Sequence, residues 1–316
     1  MINVAAPPVL AEVVRSGFTE SRHRGLVAGL AADGTIAVRA GDISVPVFPR
    51  SSNKPLQAAA MLRRGLDLDG ELLALASASH YGEDFHVDGV RKILSGAGLT
   101  EDDLQCPLSW PLDDNTMDRL IAHGEGKSRI RMNCSGKHAA MLATCVLNGW
   151  PVSTYRSPGH PLQVAIRETI EELAGEQATA VGVDGCGAAL FALTLPGLAR
   201  GYRALVLAAP GTAERRVADA MRAHPAWVSG TASDARRLME AVPGLLHKGG
   251  AEGVDAFALP DGRAGALKIE DGSTRARTPI TTATLRRLGA AVPGEFATAP
   301  VLGGANPVGE IRVIGI

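Results

Sequence analysis

The chain has 316 residues, 46% of them hydrophobic and 21% charged, and a net charge of −1. These proportions are typical of a soluble globular protein, and the length suits one large domain or two closely joined ones. A near-neutral chain without long basic runs lacks the charge pattern of a nucleic-acid-binding protein, so nucleic acid is excluded as the main partner.

The sequence also argues against a membrane protein. No window reaches the roughly 18 uninterrupted apolar residues of a membrane span, and residues 1–10 lack the basic start and apolar core of a signal peptide. We therefore expect a cytoplasmic protein that does not bind membranes. In that compartment Cys106, Cys134, Cys145 and Cys186 are expected to be free thiols or metal ligands rather than a disulfide framework.

The first 50 residues contain the short apolar or alternating runs that are typical of β-strands, with glycine-containing turns between them. Strands are predicted over residues 9–14, 26–31, 35–39 and 44–48. Because one strand follows another directly, we expect antiparallel pairing.

From Pro55 onward the pattern becomes mainly helical. Helices are predicted over residues 55–64, 71–77, 84–95, 115–122, 160–174, 212–223 and 233–240. The clearest is 160–174, where apolar residues recur on one face and Gly175 suits the position after the helix end.

Strands return near the C-terminus. Residues 256–259 and 264–269 flank an Asp261-Gly262 turn and predict a hairpin, followed by a helix over 281–288 and a last strand over 310–316. We therefore predict an α+β fold whose antiparallel sheet is built from both chain ends and flanked by helices. Residues 1–316 form one domain in this prediction, with a helical subdomain inserted at roughly 55–180.

The first candidate for chemistry is Ser51-x-x-Lys54, which follows a predicted strand and opens a helix. Residues three apart on a helix share a face, so the lysine amine can reach the serine hydroxyl. A buried, neutral amine can take the serine proton, and the helix start offers N–H groups to an oxyanion. The alternative is a capping serine beside a solvated lysine, and a bare SxxK motif is too common to decide between them.

Two other kinds of segment are candidates. Ser79 precedes a glycine turn, where a helix cap is the simpler explanation. The side chains of a zinc site are also present, on Cys134, His138, Asp184 and Cys186. Their spacing is not a standard zinc pattern, and small buried thiols are the commoner explanation for single cysteines.

Lysine is scarce in this chain, since only six of the 32 Lys and Arg residues are lysines. Four of the six lie in glycine- or serine-rich motifs, at Lys54, Lys137, Lys248 and Lys268. Such placement suits an amine that must lose its proton, a role that arginine cannot fill. Lys268 lies in a predicted strand, as the strand lysine of a β-lactamase-type site does, although an edge-strand lysine can also guard against aggregation.

Six motifs in a fixed order now make the pattern recognisable. They are residues 48–57 (FPRSSNKPLQ), 78–83 (ASHYGE), 133–138 (NCSGKH), 184–187 (DGCG), 248–253 (KGGAEG) and 268–272 (KIEDG). From about residue 8 to the C-terminus, the chain resembles the class 3 L-asparaginases of the asparaginase II family, which are related to serine β-lactamases and glutaminases.

The resemblance implies a serine β-lactamase-like fold, a homodimer, and hydrolysis of L-asparagine to L-aspartate and ammonia. It implies two serine–lysine pairs, Ser51 with Lys54 and Ser79 with Lys268. We expect Ser51 to attack the side-chain amide with Lys54 as base, while the second pair relays protons or orients the substrate. Ser79 remains a competing nucleophile.

The resemblance further implies a Zn2+ site, although the chemistry itself requires no cofactor. Its ligands are implied to be Cys134, Lys137 and Cys186, with Asp184 nearby. Spacing alone favours His138 instead of Lys137, and lysine is a rare ligand because it must deprotonate first. We follow the resemblance and expect His138 beside the metal ligands or at the substrate. Contacts with the substrate are expected from Arg50, His80, Glu83, His138 and Asp184.

Two alternatives to an L-asparaginase remain open at this point. One is a glutaminase, or another amidase or esterase, on the same scaffold. The other is a non-catalytic amino-acid sensor that has kept the pocket, although the intact set of serines and lysines favours an enzyme.

Overall fold

The two ends of the chain meet in one antiparallel sheet. The computed structural model describes residues 6–316. The strands are β1 Val9–Arg15, β2 Phe18–Leu30, β3 Ile36–Ala40, β4 Val181–Val183, β5 Ala189–Phe191, β6 Leu246–Gly249, β7 Val254–Ala258, β8 Ala264–Ile269, β9 Thr298–Gly303 and β10 Asn306–Val313. The main sheet has the order β6-β7-β8-β2-β1-β10-β9, with β3 also on β2, and β4 pairs with β5 separately.

Strand β2 joins the two halves of this sheet. Its first half is partly exposed and pairs with β1, whereas its second half is buried and pairs with β8 on one side and β3 on the other. Gly25 lies where these halves meet, and a Cβ there would collide with the carbonyl oxygen of Lys268. The glycine therefore lets β8 lie close to β2.

Helices cover both faces of the sheet. They are α1 Lys54–Arg63, α2 Gly70–Ala76, α3 Asp84–Gly96, α4 Asp114–Ala122, α5 Ser135–Leu147, α6 Pro161–Ala174, α7 Leu195–Leu207, α8 Ala213–Ala223, α9 Pro225–Val228, α10 Asp234–Ala241 and α11 Arg277–Arg287. Alternation along β2 divides the core: Leu26 and Ala28 lie in the cluster with α1, α5 and α7, while Val27 lies with α10 and α11. Within the described residues, no helix combines the length and apolarity of a membrane span.

The predicted α+β fold, with an antiparallel sheet from both chain ends and helices between, is confirmed. The strand predicted over residues 44–48 is wrong: this segment is irregular, and only Val47 forms a bridge, to Leu193. Helices continue from α1 through α10, past residue 180, before the sheet resumes at β6. The boundaries of a helical subdomain stay a prediction.

Candidate active site

The turn that carries Ser51 precedes helix α1. Residues Arg50–Asn53 form a short 3-10 helix, and Pro55 in the first turn of α1 costs no hydrogen bond because the N–H groups there have no partner within the helix. Arg50 has a φ of 51°, which is uncommon for a residue with a side chain. Such strain is concentrated at functional sites, so this turn is a candidate for one.

Ser79 lies between two buried lysines. Its Oγ receives hydrogen bonds from Lys54 Nζ at 3.0 Å and from Lys248 Nζ at 2.9 Å. The Lys54 amine also contacts the carbonyl oxygen of Ala78 at 2.5 Å and Cys134 Sγ at 3.1 Å. The arrangement therefore joins α1, the loop after α2 and β6 at one hydroxyl.

Lys248 reaches Ser79 from the edge of the main sheet. Among residues 6–316, strand β6 pairs only with β7, and Lys248 lies opposite Ala256. Burial, together with the charges of Lys54 and Arg277, lowers the pKa of Lys248 well below that of an ordinary lysine. This amine is therefore suited to accept a proton. The sequence contains its signal, a lysine before two glycines, but sequence reasoning assigned the role to Lys268.

The implied pairing of Ser79 with Lys268 is not formed. Lys268 Nζ donates instead to the carbonyl oxygens of Glu252 at 2.5 Å and Ile269 at 2.7 Å. These bonds hold the turn at Glu252, which has a φ of 59°. The lysine that contacts Ser79 is therefore Lys248 on β6 and not Lys268 on β8.

Ser51 and Lys54 do not form the hydrogen bond that their spacing predicts. All the polar contacts of the Lys54 amine go to Ala78, Ser79 and Cys134. Ser51 Oγ has no hydrogen-bond partner among residues 6–316. Its hydroxyl is thus available to a substrate.

Ser51, Ser79 and Lys248 line a single cavity of about 510 Å³. Tyr81 and Arg277 are also on its wall. A cavity of this volume is within the range for small-molecule sites. The two hydroxyls and the amine therefore face space that can hold a substrate.

A pair of thiols lies behind Lys54. Lys137 Nζ donates to Cys186 Sγ at 3.1 Å, and Cys134 contacts Cys186 in a small buried cluster. A hydrogen bond from Cys134 and the charge of Lys137 lower the pKa of Cys186, while the contact with Cys186 and burial raise the pKa of Cys134. Cys186 is therefore the more acidic thiol of the pair.

The residues around these thiols fit a zinc ion by their chemistry. Thiolates and imidazole are the ligands that zinc prefers, and His138 Nε2 is buried without a partner, while its Nδ1 shares a 2.5 Å hydrogen bond with the Tyr155 hydroxyl. Burial lowers the pKa of His138 to about 4, so the ring is neutral. Among residues 6–316, no group of three His, Cys, Asp or Glu side chains is arranged to hold a metal; the set that the resemblance implies includes a lysine.

None of the five expected substrate contacts lies on the wall of the cavity. Arg50 Nε forms a 2.7 Å ion pair with Asp184 Oδ1, and Glu83 accepts two bonds from Thr231. His80 shares one hydrogen bond with Ser135 Oγ and accepts another from the Gly82 N–H, so both ring nitrogens are occupied. These contacts hold loops around the site. Binding roles for Arg50, Asp184, Glu83, His80 and His138 stay predictions.

Several solved structures are similar to parts of this chain. Mglu in its native form is 16% identical, with a TM-score of 0.45, and the match covers 83% of this chain and 62% of that one. A β-lactamase from Mycobacterium bovis is 13% identical over 84% of this chain and 94% of its own, with a TM-score of 0.41. EstCE1, a hydrolase with promiscuous acyltransferase activity, is 14% identical over 89% and 93%, with a TM-score of 0.40. The chain thus spans less than two thirds of the length of Mglu.

No curated protein matches the chain. A family model does match, over residues 11–313, and it is that of L-asparaginase II. The matched range includes the whole site around Ser51, Ser79 and Lys248. The resemblance drawn from the motifs is confirmed, and the chain belongs to the L-asparaginase II family.

Proposed function

We propose that the protein is an L-asparagine amidohydrolase that forms L-aspartate and ammonia through a covalent acyl-enzyme. One observation carries the proposal: the Ser79 hydroxyl bridges two buried lysine amines beside a cavity that Ser51 also lines. Nucleophilic acyl transfer needs a hydroxyl and an amine able to take its proton, and both are present. Membership of the L-asparaginase II family supports an amide as the substrate.

Ser51 is the hydroxyl that we assign to attack. Its Oγ has no hydrogen-bond partner among residues 6–316, whereas Ser79 Oγ is held by two amines. Ser51 also stands at the start of a helix, where N–H groups favour a developing oxyanion. In this step a bond forms between Ser51 Oγ and the amide carbon, and the hydroxyl proton passes through Ser79 to Lys248. The C–N bond then breaks, and the leaving nitrogen takes that proton and departs as ammonia. Water then hydrolyses the ester.

Ser79 is the proton relay in this proposal. Two ammonium groups on one hydroxyl would repel each other, so one of the two lysines is expected to be neutral. Its lowered pKa makes Lys248 the neutral amine, and the Ser79 hydroxyl can pass a proton to it over 2.9 Å. Lys54, with three partners, is placed to hold Ser79 in position.

A zinc ion is a separate part of the proposal. Cys134, Lys137 and Cys186 would hold it, with His138 beside them, and the ion would supply positive charge that orders the two cysteine-bearing loops. The proposal also keeps the expected cytoplasmic location and homodimer.

Release of ammonia from L-asparagine and from L-glutamine tests this function. Wild type is expected to release it faster from asparagine, and Ser51→Ala and Ser79→Ala each to lose about 10²-fold or more in kcat. Ser95→Ala, an exposed serine on α3, is the control. The cavity of about 510 Å³ has room for the longer side chain of glutamine. Faster release of ammonia from glutamine would therefore identify the enzyme as a glutaminase rather than an asparaginase. Tight binding of asparagine without ammonia release would identify a sensor instead.

A further inference from the structure

Arg277 is a cation on the cavity wall without a carboxylate partner. It begins α11 and lines the same cavity as Ser51, Ser79 and Lys248. No Asp or Glu oxygen among residues 6–316 lies within 4.0 Å of its guanidinium nitrogens. One of its five N–H donors has a partner, since Nη1 donates to the Gly250 carbonyl oxygen at 2.8 Å. Nε is buried without a partner.

Other charged groups line the same wall, including Arg237, Arg275 and Asp255. Arg237 forms ion pairs with Asp234 at 3.4 Å and Glu295 at 2.9 Å. Asp255 Oδ2 shares a 2.8 Å hydrogen bond with His247 Nε2 and accepts one of 2.6 Å from Thr281 Oγ1, whereas the buried Oδ1 has no hydrogen-bond partner. Arg277 and Asp255 attract each other, because Arg277 is among the charges that lower the pKa of Asp255. No ion pair within 4.0 Å joins them among residues 6–316, so the guanidinium keeps N–H donors free for a ligand.

Gly249 lies where this charge approaches the reacting groups. A Cβ at Gly249 would meet Arg277 Nη1, so the missing side chain lets the guanidinium lie against the residue that follows Lys248. Lys248 Nζ in turn lies 2.9 Å from Ser79 Oγ. The charge of Arg277 also acts on Lys248, since it is among the charges that lower the pKa of that lysine.

We propose that Arg277 binds the α-carboxylate of the substrate and so restricts the enzyme to free α-amino acids with a side-chain amide. A guanidinium offers paired donors whose geometry matches a carboxylate. Thr278, in the first turn of α11, lies on the same wall, and the positive end of the helix adds to the attraction. This inference rests on the proposed function, since it assigns one end of the same substrate.

A substrate without the α-carboxylate gives the kinetic test. Ammonia release is measured from L-asparagine and from its α-carboxamide, for wild type, Arg277→Lys and Arg277→Gln. Wild type should prefer asparagine, and Arg277→Gln should lower kcat/KM for asparagine about 10- to 100-fold more than for the α-carboxamide, with the difference mainly in KM. A smaller loss shared by both substrates would reflect the effect of Arg277 on the pKa of Lys248. Arg277→Lys should lie between them, because it keeps the charge but loses the paired donors. Equal losses on both substrates would show a structural role and overturn the inference.

Calorimetric binding of L-aspartate separates this inference from the proposed function, because it requires no turnover. Arg277→Gln should weaken Kd about 10- to 100-fold, whereas Arg287→Gln should not. Arg287 is the matched control because it is an exposed arginine at the other end of α11 and does not line the cavity. An unchanged Kd in Arg277→Gln, or no binding to wild type, would overturn the inference. Wild type that binds aspartate through Arg277 but releases no ammonia would instead refute only the proposed function.

Discussion

The Ser79 hydroxyl is the residue-scale centre of this site. Lys54 and Lys248 both lie within 3.0 Å of its Oγ, and both are buried. Close, desolvated amines favour a state in which one of them gives up its proton. The charge of Lys54 accordingly contributes to the lowered pKa of Lys248, which gives the site a base without a histidine.

Replacing each strand lysine by methionine tests which one serves Ser79. Lys248→Met should reduce kcat by about 10²- to 10⁴-fold, the range for a lost proton-transfer group. Lys268→Met, which loses only bonds to the Glu252 and Ile269 carbonyls, should retain more activity than Lys248→Met by at least about tenfold. The opposite order, measured as ammonia release, would restore the pairing of Ser79 with Lys268 that the resemblance implies.

At this scale the sequence predicts which residues belong to the site better than it predicts the hydrogen bonds between them. Ser51, Lys54 and Ser79 stand in motifs that the sequence singles out. The Ser51–Lys54 bond is not formed because the lysine amine turns to Ala78, Ser79 and Cys134, of which Cys134 is 80 residues away in sequence. Helical spacing indicates which residues can form a hydrogen bond, but it does not show that a partner distant in sequence binds the lysine amine instead.

Strand β6 is the element that completes the site. Gly250, just after it, lies against the turn before α1: a Cβ there would be 2.8 Å from the Pro49 carbonyl oxygen and 3.3 Å from the Ser51 amide nitrogen. The Gly250 amide also donates to the Val254 carbonyl oxygen at 2.8 Å. Because contacts this short leave no room for a side chain, Gly250 fixes the distance between Ser51 and the strand that carries Lys248.

Gly250→Ala should therefore impair catalysis more than folding. Pushing β6 away from the Ser51 turn is expected to lower kcat/KM at least about tenfold, since small displacements of positioned groups are costly. Gly126→Ala is the matched control, because a Cβ there meets nothing within 4 Å. Normal kinetics in Gly250→Ala would mean that the turn and β6 need not touch.

Element prediction from sequence succeeds where periodicity is sustained. Helix α6, with a regular apolar face and Gly175 in the left-handed region after it, runs over Pro161–Ala174, almost as predicted. Strand β6 has only four residues, too few to show alternation, and its pairing with β7 is not visible in the sequence. Helix α7 contains a proline and two glycines, which interrupt the pattern from which a helix is recognised.

At the scale of the whole molecule, buried histidines couple stability to pH. His86 is fully buried and shares a hydrogen bond with the Ala226 carbonyl oxygen, and burial lowers its pKa to about 4. Between pH 6.5 and 4 the unfolded chain therefore binds more protons at this site than the folded chain. The free energy of unfolding must fall as the pH falls through that window.

His86→Gln should flatten this dependence, by at most about 1.4 kcal/mol per pH unit, the effect of one proton. Denaturant unfolding at several pH values between 4 and 6.5 measures the slope. His123→Gln, whose parent side chain is exposed, is the matched control. An unchanged slope in His86→Gln would show that this imidazole does not titrate differently in the folded protein.

The central claim is that a serine of this site carries the acyl group. Mass spectrometry after rapid acid quenching of wild type with L-asparagine should detect an aspartyl ester on the tryptic peptide that begins at Ser51. The ester should be absent from Ser51→Ala. Ammonia release without any ester would contradict the covalent mechanism, and an ester on Ser79 would contradict the assignment of Ser51 as nucleophile.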